Sequence, residues 1–251
     1  GRATRVIAAL PPGGTLPAGR ETLVCDARSQ EDLGRLAEAL LPHWQDSVAV
    51  GSAGLARELA LCLFGETAAP QPMAASRFGP VLVIAGSRTR VTREQVRHLA
   101  LRDHVLMLPL DPQVVLQSWE APAMARWVER ALDTADEAAA RGVRALVVRI
   151  AQPRDPLVPG FLGVPGGHAA PPLHRVSERL NRLLGQLAAA VAQRIRLSGM
   201  VLTGGDVARS VMQALEVHTL QLGTELLPGI PLSWAVDGAL PGLPLVTKAG
   251  G

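Results

Sequence analysis

The stretch Met200-Val201-Leu202-Thr203-Gly204-Gly205-Asp206-Val207-Ala208 carries the strongest chemical signal in this 251-residue chain. An apolar run with the composition of a buried strand ends in two glycines at the mouth of a helix. Glycine lets the backbone approach a ligand closely. The first helical N–H groups beyond it point outward, unpaired, at the positive end of the helix dipole. An anion suits that place, above all a phosphate, because open α/β sheets bind ligands beyond the carboxyl ends of their strands. The plainer reading is a tight strand-to-helix turn with Asp206 as an ordinary N-cap. If Gly205 lies beneath a phosphate, a branched side chain there would meet the ligand. A need for positive φ at Gly205 would disfavour that side chain a second time.

Two further elements point the same way. Gly86-Ser87 follows the apolar run Pro80–Ala85 and offers a small residue and a hydroxyl on what is expected to be the same sheet edge. Lys248-Ala249-Gly250-Gly251 follows the β-prone Leu245-Val246-Thr247. Lys248 is the only lysine among 25 basic residues, and a lysine leading into small residues suits phosphates or the plane of a base. Taken singly, the first is a turn and the second a solvated terminal loop. Together the three elements point to a nucleotide.

Other chemistries find little support. There is no GxxxxGK[ST] loop and no GxGxxG between a strand and a helix. No HExxH or paired Cys/His spacing suggests a metal site, and none is expected. Cys25 and Cys62 are too few for a disulfide framework, which fits a reducing cytoplasm. Ser52 sits in GSAG rather than GxSxG. His98, His104, His168 and His174 read as surface or loop residues. Charged residues make up 19%, and the net charge of +3 is scattered rather than striped. With aromatics at 3% and no Tyr, nucleic acid is not an expected partner. No apolar run approaches the ~20 residues that span a bilayer, so a membrane is not expected either. At 48% apolar residues the chain can bury a sizeable core.

The elements that must position these residues follow a repeated order of short β run, small-residue turn and amphipathic helix, which predicts an α/β fold with a largely parallel sheet. Expected strands are Thr22–Cys25, Ser47–Val50, Pro80–Ala85, Val105–Leu110, Val143–Ile150 and Met200–Thr203. Ser29 with Asp32 predicts a capping box before a helix striped by Leu33, Leu36, Ala37, Leu40 and Leu41. Leu55, Leu59 and Leu63 stripe the next helix. Thr92 with Gln95 predicts a cap for a helix turned inward on Val96, Leu99 and Ala100. Helices are expected over Ala121–Arg141 and Val176–Arg196, and Gly204-Gly205-Asp206 is expected to open another that runs to Leu215. Residues 67–79 read as a linker between domains at 1–66 and 80–251, and Gln152–Pro172 as a long surface loop. The first and last residues read as the ends of a portion of a longer chain.

In order along the chain, Val24-Cys25-Asp26-Ala27, Val50-Gly51-Ser52-Ala53-Gly54-Leu55-Ala56, Ala85-Gly86-Ser87-Arg88, Leu202-Thr203-Gly204-Gly205-Asp206-Val207-Ala208, Pro228-Gly229-Ile230-Pro231 and Thr247-Lys248-Ala249-Gly250-Gly251 resemble the four-carbon acid sugar kinase family. The resemblance implies two domains, each a mainly parallel sheet flanked by helices, with the active site in the cleft between them. It implies ATP with Mg²⁺ and a small sugar acid of the threonate, erythronate or 3-oxo-tetronate type, and it leaves room for a homo-oligomer. Residues 1–66 would be the C-terminal part of the sugar-acid domain and 80–251 the nucleotide domain. The family's nucleotide contacts carry over onto Ser87, Gly204, Gly205, Asp206, Val207 and Gly250, with Lys248 a neighbour. Asp206 would either cap its helix or act through a Mg²⁺-bound water. The family's opening strand with its Asp-Asp turn is missing, so no residue is assigned as catalytic base. A non-catalytic protein binding a phosphorylated metabolite and a dinucleotide-dependent oxidoreductase are the alternatives.

Overall fold

The computed structural model describes residues 3–66, 79–87, 89–112, 122–151, 173–227 and 229–249. The chain falls into two compact units, Gly1–Ala69 and Pro70–Gly251. In the first, β1 (Thr4–Ile7) and β2 (Thr22–Cys25) pair in parallel, Thr4 opposite Thr22 and Ile7 opposite Cys25. Helix α1 (Gln30–Leu40) begins at the expected capping box. Ser29 Oγ accepts the Asp32 N–H, and the Asp32 carboxylate accepts the Ser29 N–H. That carboxylate also accepts the Arg28 N–H at 2.9 Å and the Arg35 guanidinium. The Arg28 bond first, and then Arg35, lower its pKa to about 2. A 3-10 turn, Leu41–Asp46, leads towards α2 (Ala53–Phe64). Leu10, Leu36 and Ala39 form a small core, with Leu33 and Leu55 packed on it.

Sequence and structure differ at both strand ends of this unit. The strand Thr4–Ile7 was not anticipated, being four residues with no turn signal before them. Ser47–Val50, expected as a strand, is not one. Val48 and Val50 are 91% and 89% exposed, and no described strand pairs with them. A run of β-branched residues is strand-prone only where a pairing surface receives it.

In the second unit a seven-stranded sheet is built around β3 (Val81–Ala85). The other strands are β4 (Val105–Leu110), β5 (Ala145–Ile150), β6 (Gly199–Thr203), β7 (Leu220–Leu227), β8 (Ile230–Ala235) and β9 (Pro244–Lys248), in the spatial order β4-β5-β3-β6-β9-β8-β7. The first five in that order pair in parallel, and β8 runs antiparallel to both its neighbours. The unbroken apolar run of β3 follows from its place. Leu82 and Ile84 enter the main core on one face, while Val83 and Ala85 are buried on the other. The core is closed by α4 (Pro122–Ala140), α5 (Leu173–Arg194) and α6 (Gly205–Ala214), through Trp127, Leu180, Leu184, Leu187 and Val211.

Helix α3 (Arg90–Ala100) starts one turn before the position predicted. Its N-cap is Thr89, whose Oγ1 accepts the Thr92 N–H at 3.4 Å. Thr92 is inside the helix and 2% exposed, and its hydroxyl accepts from Thr89. Two threonines three residues apart offer the same cap, and the earlier one is used. Val96 and Leu99 are half-buried as expected, but Ala100 is exposed. The expected loop Gln152–Pro172 and most of the expected linker, residues 67–78, lie outside the described residues.

The lowered pKa of Asp32 sets a pH dependence for the first unit. A folded value of about 2 lies below the unfolded carboxyl's roughly 3.9, so the capping contribution is complete above about pH 4 and is lost as pH falls through the folded pKa. Asp32→Asn is therefore expected to lower the thermal midpoint at neutral pH, with the gap to the parent closing as pH falls towards the folded pKa. Circular-dichroism melts of the two proteins across that range check it; equal midpoints at neutral pH would contradict it.

Candidate nucleotide site

Strand β6 ends at Thr203, which lies opposite Ala85 of β3 on one side and Lys248 of β9 on the other. The next residue breaks the ladder. Gly204 adopts φ +100° and ψ +126°, donates its N–H to the Lys248 carbonyl at 2.9 Å, and becomes the N-cap of α6. Its own carbonyl accepts the Ala208 N–H at 3.0 Å, the first bond of the helix. The N–H groups of Gly205, Asp206 and Val207 precede that bond and have no intrahelical acceptor. The left-handed backbone thus belongs to Gly204. At Gly205 no φ constraint applies, and an added Cβ would meet no atom within 4 Å, so the backbone there is bare towards open space.

The remaining called residues take distinct positions. A Cβ at Gly86 would overlap Val207 Cγ2, so Gly86 is small because the α6 turn packs onto it. Val207 is buried and serves the core with its side chain, leaving only its N–H for a ligand. Ser87 stands beside Gly204, its backbone N 3.6 Å from where a Gly204 Cβ would be. Asp206 is exposed in the first turn of the helix, and no side-chain bond caps α6, so the reading of Asp206 as N-cap is corrected: Gly204 fills that position. Lys248 ends β9 with its Nζ donating to the Ala249 carbonyl at 2.8 Å. Gly250 lies outside the described residues.

Ser87, Gly204, Gly205, Asp206 and Val207 line one cleft of about 210 Å³. Ser177, Leu180 and Asn181 from α5 and Ile150 from β5 also line it. The sequence reading missed both polar residues because α5 was read only for its apolar stripe. The available signal was their spacing of four, which puts two half-buried polar side chains on one edge of that stripe. Among the described residues, neither Lys nor Arg lines the cleft. At this size, below the ~300 Å³ usual for a drug-sized ligand, the cleft suits part of a nucleotide, its phosphates.

Thr203 is 7% exposed, and its Oγ1 is buried without a hydrogen-bond partner. An unsatisfied buried hydroxyl costs about 1–3 kcal/mol, so its retention here asks for a functional reason. No group of three or more Asp, Glu, His or Cys able to hold a metal exists among the described residues. Mg²⁺ fits this site only in the manner it usually adopts beside nucleotides, on phosphate oxygens and waters with one carboxylate nearby; Asp206 is the carboxylate lining the cleft. A larger cleft of about 440 Å³ in the first unit has Glu31, Glu38 and Glu58 on its wall beside Arg35, a poor match for a phosphate.

The family described as "Nucleotide-binding C-terminal domain" matches residues 82–251, the whole of this sheet and its site. The chain belongs to that family. The curated relatives it matches carry the names D-threonate kinase, D-erythronate kinase and 3-oxo-tetronate kinase. A D-threonate kinase of Cupriavidus necator is 35% identical over 92% of this chain and 51% of its own length. A D-erythronate kinase of Heliobacterium modesticaldum is 27% identical over 98% of this chain and 54% of its own. The chain thus spans about half the length of the curated relatives it matches. Among solved structures, a domain of unknown function from Bordetella bronchiseptica, a domain-swapped dimer with bound citrate, is 29% identical and covers 99% of this chain and 55% of that one, with a TM-score of 0.52. A Haemophilus influenzae protein at 20% identity covers 93% of this chain and 51% of that one, with a TM-score of 0.62, a likeness of fold.

The two glycines at the turn should respond oppositely to alanine. Gly204→Ala puts a Cβ on a backbone at φ +100° and is expected to cost about 1–2 kcal/mol. Gly205→Ala fills open space at a helical position and is expected to change stability by less than about 1 kcal/mol, in the stabilising direction. Denaturant midpoints of the two variants check this; a larger loss at Gly205 would contradict the geometry.

Proposed function

We propose that this chain is the nucleotide-binding part of a kinase that transfers the terminal phosphoryl group of ATP to a four-carbon sugar acid of the threonate, erythronate or 3-oxo-tetronate type. The observation that carries the reading is the bare first turn of α6, three N–H groups without an intrahelical acceptor on residues that line a cleft of about 210 Å³. Membership of the nucleotide-binding family and the names of the relatives support it. Residues 1–66 are on this reading the C-terminal part of the sugar-acid domain.

Phosphoryl transfer asks a protein mainly for positioning and for relief of negative charge. The N–H groups of Gly205, Asp206 and Val207 donate to phosphate oxygens, helped by the positive end of the α6 dipole. The Ser87 hydroxyl adds a donor beside Gly204, Lys248 offsets charge from the neighbouring strand, and Gly250 joins the contacts. Mg²⁺, held beside Asp206, would relieve part of the negative charge on the phosphates. In the transfer an acceptor hydroxyl oxygen bonds to the terminal phosphorus. The bond from that phosphorus to the β-phosphate oxygen breaks with its electron pair left on ADP, and the hydroxyl proton passes to water.

Two measurements test the reading. Calorimetric titration is expected to show ADP binding. Gly205→Val, which fills the bare space with a branched side chain, is expected to lose roughly ten- to a hundredfold in affinity while remaining folded. Wild-type ADP affinity in that folded variant would remove the phosphate from this turn. In a coupled ADP-release assay of the full-length protein, threonate and erythronate should support turnover and neutral hexoses should not. A hexose outperforming every acid would overturn the substrate class, and ADP binding without turnover on any acid would favour a binding protein.

A further inference from the structure

Helix α5 brings two polar residues to the cleft beside the α6 turn, Ser177 and Asn181. Both are half-buried, and among the described residues neither side chain makes a hydrogen bond. Their neighbours on the same helix behave differently. Glu178 and Arg182, also spaced four apart, pair with each other at 3.5 Å. Serine and asparagine are weak helix formers, because their side chains compete for backbone groups. Gly185, weaker still, has a packing reason: an added Cβ there would meet the Ser210 backbone. No hydrogen bond among the described residues accounts in the same way for Ser177 and Asn181. A half-buried amide without a partner loses part of its hydration uncompensated.

The packing of the two helices sets where these residues stand. Helix α5 leads into β6 and α6 leads out of it, so both run from the carboxyl edge of the parallel sheet towards its amino edge. Their backbones come together at Gly185 and Ser210. One turn back from that contact, Asn181 stands level with Asp206 in the first turn of α6. A further turn back, Ser177 stands about 6 Å further out, past the point where α6 begins. An anion on the N–H groups of Gly205, Asp206 and Val207 therefore has Asn181 beside it, and the next group along its chain has Ser177. Asn181 offers the N–H donors of an amide and Ser177 a hydroxyl, both suited to phosphate oxygens.

We propose that Asn181 and Ser177 bind the diphosphate of the nucleotide together with the first turn of α6. Asn181 donates to the phosphate seated on that turn, and Ser177 donates to the phosphate next to it. ATP and ADP share this diphosphate, so the contact serves the binding of both. The proposal rests on the kinase reading of the cleft and adds α5 to the elements that hold the nucleotide.

The test uses the full-length protein and the variants Asn181→Ala, Asn181→Asp and Ser177→Ala. The probes are ADP, titrated by calorimetry, and inorganic pyrophosphate, read by its displacement of ADP. Asn181→Ala should lose roughly tenfold in affinity for ADP and a similar factor for pyrophosphate, as a lost hydrogen bond to a charged group does. Ser177→Ala should lose less, about three- to tenfold. Asn181→Asp keeps the size but sets a carboxylate against the phosphates. Its loss should exceed that of the alanine variant and approach it at high salt. Alanine is the better helix former, so the thermal midpoints of both alanine variants without ligand should hold or rise. A lowered midpoint with ADP affinity kept would make the two residues structural and overturn the proposal. A loss for ADP with pyrophosphate displacement unchanged, or no displacement by pyrophosphate in wild type, would move the contact to the nucleoside and overturn it too. So would Asn181→Asp binding ADP as well as Asn181→Ala does. If the wild-type protein binds no ADP, the kinase reading fails and the proposal with it. Wild-type binding matched by both alanine variants rejects the proposal alone.

Discussion

The hydrogen bond from the Gly204 N–H to the Lys248 carbonyl is the join on which the site depends. Among the described residues it is the last bond between β6 and β9, and the residue that donates it already has a left-handed backbone and already caps α6. Strand and helix therefore meet without a spacer. The consequence is geometric: the first turn of α6 is carried at the carboxyl edge of a rigid parallel sheet, and its N–H groups are aimed by backbone pairing rather than by side chains. Any residue with a Cβ at position 204 strains that join, and any added residue would let the turn swing.

Around this join the chain gives up local stability in several places at once. Helix α6 has no side-chain cap, Gly205 exposes backbone to open space, and Thr203 buries a hydroxyl with no partner. Helices α1 and α3 have side-chain caps, while α2 also lacks one. Such departures are expected where a ligand completes the missing interactions, and at this edge of the sheet three of them fall on the consecutive residues Thr203, Gly204 and Gly205.

Much of this was legible in the sequence for a physical reason. Parallel strands buried on both faces must be nearly continuous apolar runs, so β3, β5 and β6 stand out, and the helices between them show an apolar stripe. The Gly-Gly pair signals close backbone approach, although which glycine carries the positive φ depends on where the ladder ends, a matter of register that a single strand does not record. Ser177 and Asn181 were masked by the stripe beside them. Thr92 and Thr89 present equivalent caps, and Ser47–Val50 has strand composition without a strand to pair with. The strand and the glycine turn on contacts between segments distant in the chain, whereas the cap is a choice between two threonines within one turn.

The central claim, that the α6 N-terminus receives phosphate through its backbone, is open to direct observation in ¹⁵N-labelled protein. The backbone amide resonances of Gly205, Asp206 and Val207 should shift on addition of ADP and stay in place on addition of adenosine. The Gly204 amide, already bonded to Lys248, should move less than these three. Resonances at 205–207 that ignore ADP, or that respond equally to adenosine, would contradict the account.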